Sequence, residues 1–322
     1  MIAPQDIPVP FVLDLGSGEL HPAAEPPASA GEACWIHGDR NEEGILDRLE
    51  SLGIDEPEAL AAFAAEETRP RYAHFANGDL LILRGVNLNP GARPEDMVSL
   101  RFWITPRRLV TLWRRRVFAV GDVATSACHA GKAPLAVSDI VAMLIQRIAD
   151  RVREVARAME DELNEIEEQV LDDGGSDCGE NLGRLQRRAI WLRRYIGPQV
   201  EALSDICASE PDWLDLRGAV RLRELADAAS RQLETLDALR EHIVLVQDQL
   251  SARQNQRTQR TSYVLTVVAA VFLPLNLIAS LFGANVAGVP GTTDAAAFWI
   301  MVVGMVVLAA IEFVVFRWLR WL

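Results

Sequence analysis

Six residues near the C-terminal end, Ser262, Thr266, Ala269, Leu273, Asn276 and Ser280, recur at spacings of four and three. That spacing puts them on one face of an α-helix, and the face is small and polar. No Asp, Glu, Lys, Arg or His occurs from Thr261 through Thr293, so the polar groups on offer are hydroxyl, amide and carbonyl oxygens. Such oxygens suit hydrated or hard cations better than soft ones. The other sides carry Val264, Leu265, Val268, Phe272 and Leu277. Polar groups in a hydrocarbon surrounding are costly and face protein or water. The spacing alone fits two readings: a wall of a path shared by several copies, or a small-residue seam that holds helices together without conduction.

Continuing the same period upstream favours the path. The face runs through Gln259, Asn255, Ala252, Asp248, Leu245, Glu241, Ala238 and Glu234, whereas Arg253, Arg257 and Arg260 fall away from it. An oligomer would then hold rings of carboxylates and amides in its lumen and positive charge outside, a pattern that draws in cations. Glu241 and Glu234 lie furthest along the drift of such a repeat.

Downstream, LFGANVAGVPG spans 281–291. The Asn285 amide at an outer mouth would hydrogen-bond a hydrated cation through both its oxygen and its nitrogen. Gly283 permits a sharp turn there, and the helix carbonyls favour positive charge. Asp294 is the single acid nearby and, with Asp248, a weak metal-ligand candidate. No His or Cys follows His242, so soft-ligand selection of zinc inside the path is not expected. Glu312 stands five residues before Arg317. An intramembrane acid is a candidate for proton coupling, against the plainer reading that it snorkels or pairs with a neighbouring arginine.

Two apolar segments position these groups, Tyr263–Gly283 and Ala295–Phe316, each long enough to cross a core of about 30 Å. Tyr263, Phe298, Trp299, Trp318 and Trp321 lie near their ends as interfacial anchors. Arginines precede the first and follow the second, and the loop between has none. By the positive-inside rule both termini are cytoplasmic and the loop faces out. The chain thus divides into residues 263–283 and 295–316 as spans, 284–294 as outer loop and 317–322 as cytoplasmic tail.

Before the spans, residues 211–262 read as a stalk helix entering the membrane and 137–210 as a cytoplasmic helical region. Leu222, Leu225, Ala229, Leu236, Leu239, Ile243, Val246 and Leu250 keep heptad spacing, which requires another helix or another copy as partner. Residues 1–136 read as an α+β domain, a mixed sheet with helices. FVLDL and ACWIHG are strand candidates and 55–67 a helix; Asn77-Gly78 and Pro106-Arg107 mark two hairpins.

The net charge of −13 argues against nucleic acid as partner. Cys34, Cys128, Cys178 and Cys207 lie far apart and read as reduced thiols. Residues 1–30 lack a signal-peptide pattern. His37, His74, Cys128-His129 and the acidic run 160–173 are candidate metal-sensing groups, each with a plain structural alternative. Gly16-Ser-Gly18 lacks the rest of a phosphate-binding fingerprint. No nucleophile with a spaced base stands out, so neither catalysis nor a cofactor is expected.

The membrane hairpin, the Gly-x-Asn loop after the first span and the Trp-Leu ending together resemble the CorA/ZntB family of divalent metal-ion transporters. GANVAGVPG, CWIH, TRPR, LRRYIGPQ and VFLPLN are similar to segments of the ZntB branch in the same order, over nearly the whole chain. The resemblance implies a pentameric funnel with Asn285 as signature outer-mouth residue, Asn276 as a pore ring and Asp248 as a cytoplasmic acidic ring. It also implies zinc, with proton coupling, as the cargo of that branch, and magnesium as the cargo of CorA proper. Ala284 stands where CorA has methionine, which weakens the magnesium reading, and the acidic outer tail of CorA is missing, which should weaken the concentration of hydrated cations at the mouth.

Overall fold

Leu80 and Ile82 point to one side of their strand and Leu81 and Leu83 to the other, yet all four are buried. A strand without a wet face must have helices on both sides. The computed structural model describes residues 7–22, 33–129, 134–172, 177–283 and 296–318. Its chain divides into two units, Met1–Gln247 and Asp248–Leu322.

The first unit is built on seven strands: β1 (Phe11–Asp14), β2 (Leu20–His21), β3 (Cys34–Asp39), β4 (Arg71–Phe75), β5 (Gly78–Gly85), β6 (Val98–Ile104) and β7 (Arg108–Trp113). Their order is β2-β1-β3-β7-β6-β5-β4. Among the described residues only β3 and β7 pair in parallel, with Trp35 opposite Leu109; the other pairs are antiparallel. Helices α1 (Ile45–Ser51) and α2 (Pro57–Ala64) cover one face, burying Val12, Ile36, Leu80, Ile82 and Trp103. On the other face, α3 (Phe118–His129) and α4 (Val137–Leu171) pack on Phe11, Leu13, Trp35, Leu81 and Phe102. This is the expected mixed sheet with helices.

The β4–β5 hairpin forms where expected, one residue out of place. Phe75 pairs with Gly78, so Ala76 and Asn77 make the turn and the glycine opens the next strand. Glu210 is the only non-glycine with positive φ among the described residues, so this is not the primed turn an Asn-Gly pair favours. Packing explains the glycine instead: a Cβ on residue 78 would stand 2.8 Å from the Trp103 indole. The strand β2 and the helices α1 and α3 carry no pattern long enough to have been anticipated.

Helix α4 starts with Asp139 reaching back to accept the Ala136 N–H at 3.0 Å, half of a capping box. Helix α5 (Cys178–Ser209) and the part of α6 (Leu216–Gly283) up to Gln247 run with it. Seven of the eight heptad positions of α6 are spent inside the protomer, and Leu250 is half-buried. Leu222, Leu225, Ala229, Leu236, Leu239, Ile243 and Val246 are all buried, each worth roughly 1.5–3 kcal/mol for a Leu, Ile or Val. Gln232 donates to the Ala149 carbonyl of α4 at 2.9 Å, and His242 lies 3.1 Å from Glu167 of the same helix. On α5, Arg193 grips the Asp237 carboxylate with both Nε and Nη2. Arg193 thereby holds Asp237 below the usual carboxylate range.

The expected helix from Pro211 begins at Leu216. Asp215 is its cap, accepting from the Gly218 N–H at 3.0 Å and from Ser138 Oγ at 2.8 Å. In the second unit, the rest of α6 and α7 (Ala297–Trp318) are both long and apolar enough to cross a membrane.

Candidate ion pathway

The polar seam of α6 is open in the protomer: Ser262, Thr266, Ala269, Leu273, Asn276 and Ser280 are all exposed, Leu273 by 70 %. The half-buried positions are Val267, Ala270, Val271, Pro274, Leu275 and Ile278. At about 100° per residue these lie on the opposite side of the helix. Helix α7 shows a matching stripe in Ala297, Met301, Met305, Leu308, Glu312 and Phe316. Each helix of the second unit therefore has one sheltered side, which on α6 is apolar and lies opposite the polar seam, and on α7 includes Glu312.

Thr266 Oγ1 donates to the Ser262 carbonyl at 2.8 Å, and Thr258 repeats the pattern to Gln254 at 3.0 Å. Those bonds consume the hydroxyl protons and leave oxygen lone pairs on the exposed face, where they can only accept or ligate. Helix α6 continues through Pro274; lacking an N–H, that residue frees the Ala270 carbonyl from its helical bond. Asp248, Asn255 and Gln259 are exposed on the same helix. Upstream, Glu234 and Glu241 are exposed while Leu236, Leu239 and Ile243 are buried, so the expected acidic face is the uncovered one. Glu241 lines a cavity of about 540 Å³ together with Arg193, Asp237 and Arg240.

Gly283 is the last residue of α6 and is not in a left-handed conformation. Asn285 and Asp294 lie outside the described residues. Glu312 has one carboxylate oxygen, Oε2, out of solvent and without a hydrogen-bond partner among the described residues. The expected pairing with a neighbouring arginine is not formed at that atom.

The histidine candidates and two acids of the 160–173 run make structural contacts. His37 is fully buried, with Nδ1 2.8 Å from Thr111 Oγ1, and burial pushes its pKa down to about 3. His74 Nδ1 is 2.7 Å from Asp79, and His129 Nδ1 is 2.6 Å from the Thr125 carbonyl. In the acidic run, Glu162 pairs with Arg188 and Glu167 with His242. No group of three or more His, Cys, Asp or Glu side chains able to hold a metal occurs among the described residues. The four cysteines are free, and burial raises the thiols of Cys34, Cys128 and Cys207.

Pattern reasoning missed Asp79. This buried carboxylate accepts from the Tyr72 hydroxyl at 2.8 Å and from Trp213 Nε1 at 2.7 Å besides its contact with His74. Burial pushes the Tyr72 phenol above its ordinary range, and Asp79 adds to the shift.

A mixed sheet between helical layers, a long helix with an exposed polar seam and a second apolar helix define a membrane transporter of the CorA type. The family model described as "CorA-like Mg2+ transporter protein" matches residues 30–318, and the chain belongs to that family. It is 37 % identical over 294 residues to the divalent cation transporter CmaX of Pseudomonas aeruginosa, covering 90 % of this chain and 88 % of that one. Identity to the zinc transport protein ZntB of Yersinia pseudotuberculosis is 27 % over 298 residues, covering 92 % and 90 %. The structure of full-length CmaX matches with a TM-score of 0.81 at 34 % identity, covering 97 % of each chain.

Proposed function

We propose that the protein carries divalent metal cations across the inner (plasma) membrane through a homopentameric pore lined by the polar seam of α6. The observation that carries this reading is the exposure of the whole seam opposite the sheltered side of its helix. A second copy is the natural cover for a polar face that lipid would not tolerate. Asn285 and Gly283 form the outer mouth, Asn276 and Thr266 the oxygen rings within the membrane, and Asp248, Asn255, Gln259 and Glu241 the cytoplasmic rings. With such donors the ion keeps most of its water, and the path selects by charge and size more than by ligand softness. Both termini lie in the cytoplasm, and lipid surrounds the outer faces of the spans.

Zinc is the first cargo, supported by the similarity to ZntB and by Ala284 in the loop. Magnesium is the alternative, supported by the description of the family itself. Proton coupling through Glu312 accompanies the zinc reading, with the unpartnered Oε2 as its support. The reading from a different class, a membrane-anchored scaffold that conducts nothing, is distinguished by flux. Full-length protein in liposomes holding a zinc-sensitive dye should show zinc uptake that exceeds magnesium uptake and rises with an inward proton gradient. Larger magnesium flux would favour the alternative, and no divalent flux under either direction of pH gradient would reject transport.

A further inference from the structure

Five arginines crowd the eleven residues RLQRRAIWLRR, 184–194, of a chain whose net charge is −13. Arg184, Arg187, Arg188 and Trp191 recur there at helical spacing and share one face of α5. That face lines a half-open cavity of about 610 Å³, whose other lining residues are Glu162 of α4 and Arg93, Glu95 and Asp96 before β6. The volume falls in the range of about 300–1,000 Å³ typical of small-molecule sites.

Charge in the cavity is unevenly committed. Arg188 pairs with two of the three lining carboxylates, with Nη1 on Glu162 and Nε 3.8 Å from Glu95. Arg184 donates to a neutral amide, Asn181 Oδ1. Neither Arg93 nor Arg187 has an ion-pair partner among the described residues. Four guanidiniums thus line the space with three carboxylates, a net of one positive charge, and Arg93, Arg184 and Arg187 are the guanidiniums not engaged in an ion pair among the described residues. The Trp191 indole, 45 % exposed, carries the Arg194 guanidinium 5.2 Å from its ring centroid, which holds it in place.

We propose that this cavity binds a nucleoside polyphosphate, with the phosphates on Arg93, Arg184 and Arg187 and the base against Trp191. Guanidinium forks match phosphate oxygens in pairs, and an exposed indole offers a stacking surface for a flat ring. A half-open cleft of this size suits one small ligand, and the overall negative charge disfavours an extended polyanion such as RNA. The site lies wholly within the first unit and uses none of the residues assigned to the ion path.

The test is calorimetric titration of the full-length protein in detergent, in EDTA so that divalent ions neither bridge nor compete. The probes are ATP, inorganic tripolyphosphate and adenosine. ATP should bind saturably, tripolyphosphate about tenfold more weakly, and adenosine not measurably. Arg187→Glu should weaken ATP and tripolyphosphate at least tenfold, whereas Trp191→Ala should weaken ATP alone and bring it to the tripolyphosphate level. Both side chains are exposed, so the melting temperature and oligomer size should hold. The proposal is overturned by absence of saturable ATP binding, or by binding that both variants leave unchanged. It is equally overturned if Arg187→Glu breaks the oligomer without affecting ATP, because the arginine face would then be a seam between copies.

Discussion

Trp213 and Asp79 stand 134 positions apart in sequence, yet the indole Nε1 donates to the carboxylate Oδ2 at 2.7 Å in the buried interior. The bond fastens the turn that precedes α6 to the β4–β5 hairpin at the edge of the sheet. Asp79 serves Tyr72 and His74 with its other oxygen, so one acceptor-only side chain satisfies three donors. Asp79→Asn would set an amide N–H₂ against one of those donors. The expected cost is about 1–3 kcal/mol, read as a lower melting temperature by circular dichroism. Trp213→Phe should cost less, because it removes a donor and leaves only one oxygen short. An unchanged melting temperature in Asp79→Asn would show that the network carries no stability.

Gly218 marks where α6 crosses the start of α4. A Cβ there would stand 2.7 Å from Asp215 Oδ1 and 2.9 Å from Ser138 Cβ, so neither the cap nor the helix start could keep its place. Gly218→Ala should destabilise by about 1–3 kcal/mol, although alanine is the better helix former. A gain in melting temperature would mean that the contact relaxes freely.

His37 links stability to acidity. Its folded pKa of about 3 lies below the unfolded value of 6.5 because burial disfavours the imidazolium. The unfolded chain therefore binds the proton first, and stability present above 6.5 is lost as the pH falls toward 3. Between pH 7 and pH 5 the histidine should account for about 2 kcal/mol of lost stability. His37→Phe should flatten that part of the melting-temperature profile, while lowering stability at pH 7 through loss of the Thr111 contact. Parallel profiles for the two proteins would contradict the assignment.

Glu312 separates coupling from assembly. If its unpartnered carboxylate oxygen takes part in proton movement, Glu312→Gln should keep the oligomer and abolish the response of zinc uptake to a pH gradient. Retained pH-driven uptake would return Glu312 to a structural role.

Much of this architecture was legible because it rests on periodicity. Strands such as β5 and β6 show instead as short apolar runs beside turn residues, while the α6 seam keeps a heptad and the polar face from Gln259 to Ser280 repeats at three and four. What escaped notice depends on distance in sequence or on contacts with no period. The Asp79 network joins residues 72, 74, 79 and 213, and no local pattern could have announced it. Asn77-Gly78 pointed to the right hairpin for a partly wrong reason, since the glycine answers to Trp103 across the sheet rather than to the turn. The heptad seam correctly required a partner, but only the folded protomer reveals that α4 and α5 supply it. That outcome leaves the opposite, acidic face of α6 uncovered, which is what a central path formed by several copies needs.

The central claim is that the exposed seam of α6 is the ion path, and zinc uptake into dye-loaded liposomes by Asn276→Leu tests it most directly. Asn276 is exposed on the seam, and replacing its amide with an apolar side chain removes a hydrogen-bonding ring at a single level of the pore. Loss of one hydrogen bond to an ion-bound water or to the ion, about 1.5–3 kcal/mol, predicts at least a roughly tenfold fall in uptake. Val268→Leu, off the seam, should transport normally, and both variants should keep the oligomer. Undiminished uptake by a correctly assembled Asn276→Leu protein would contradict the account.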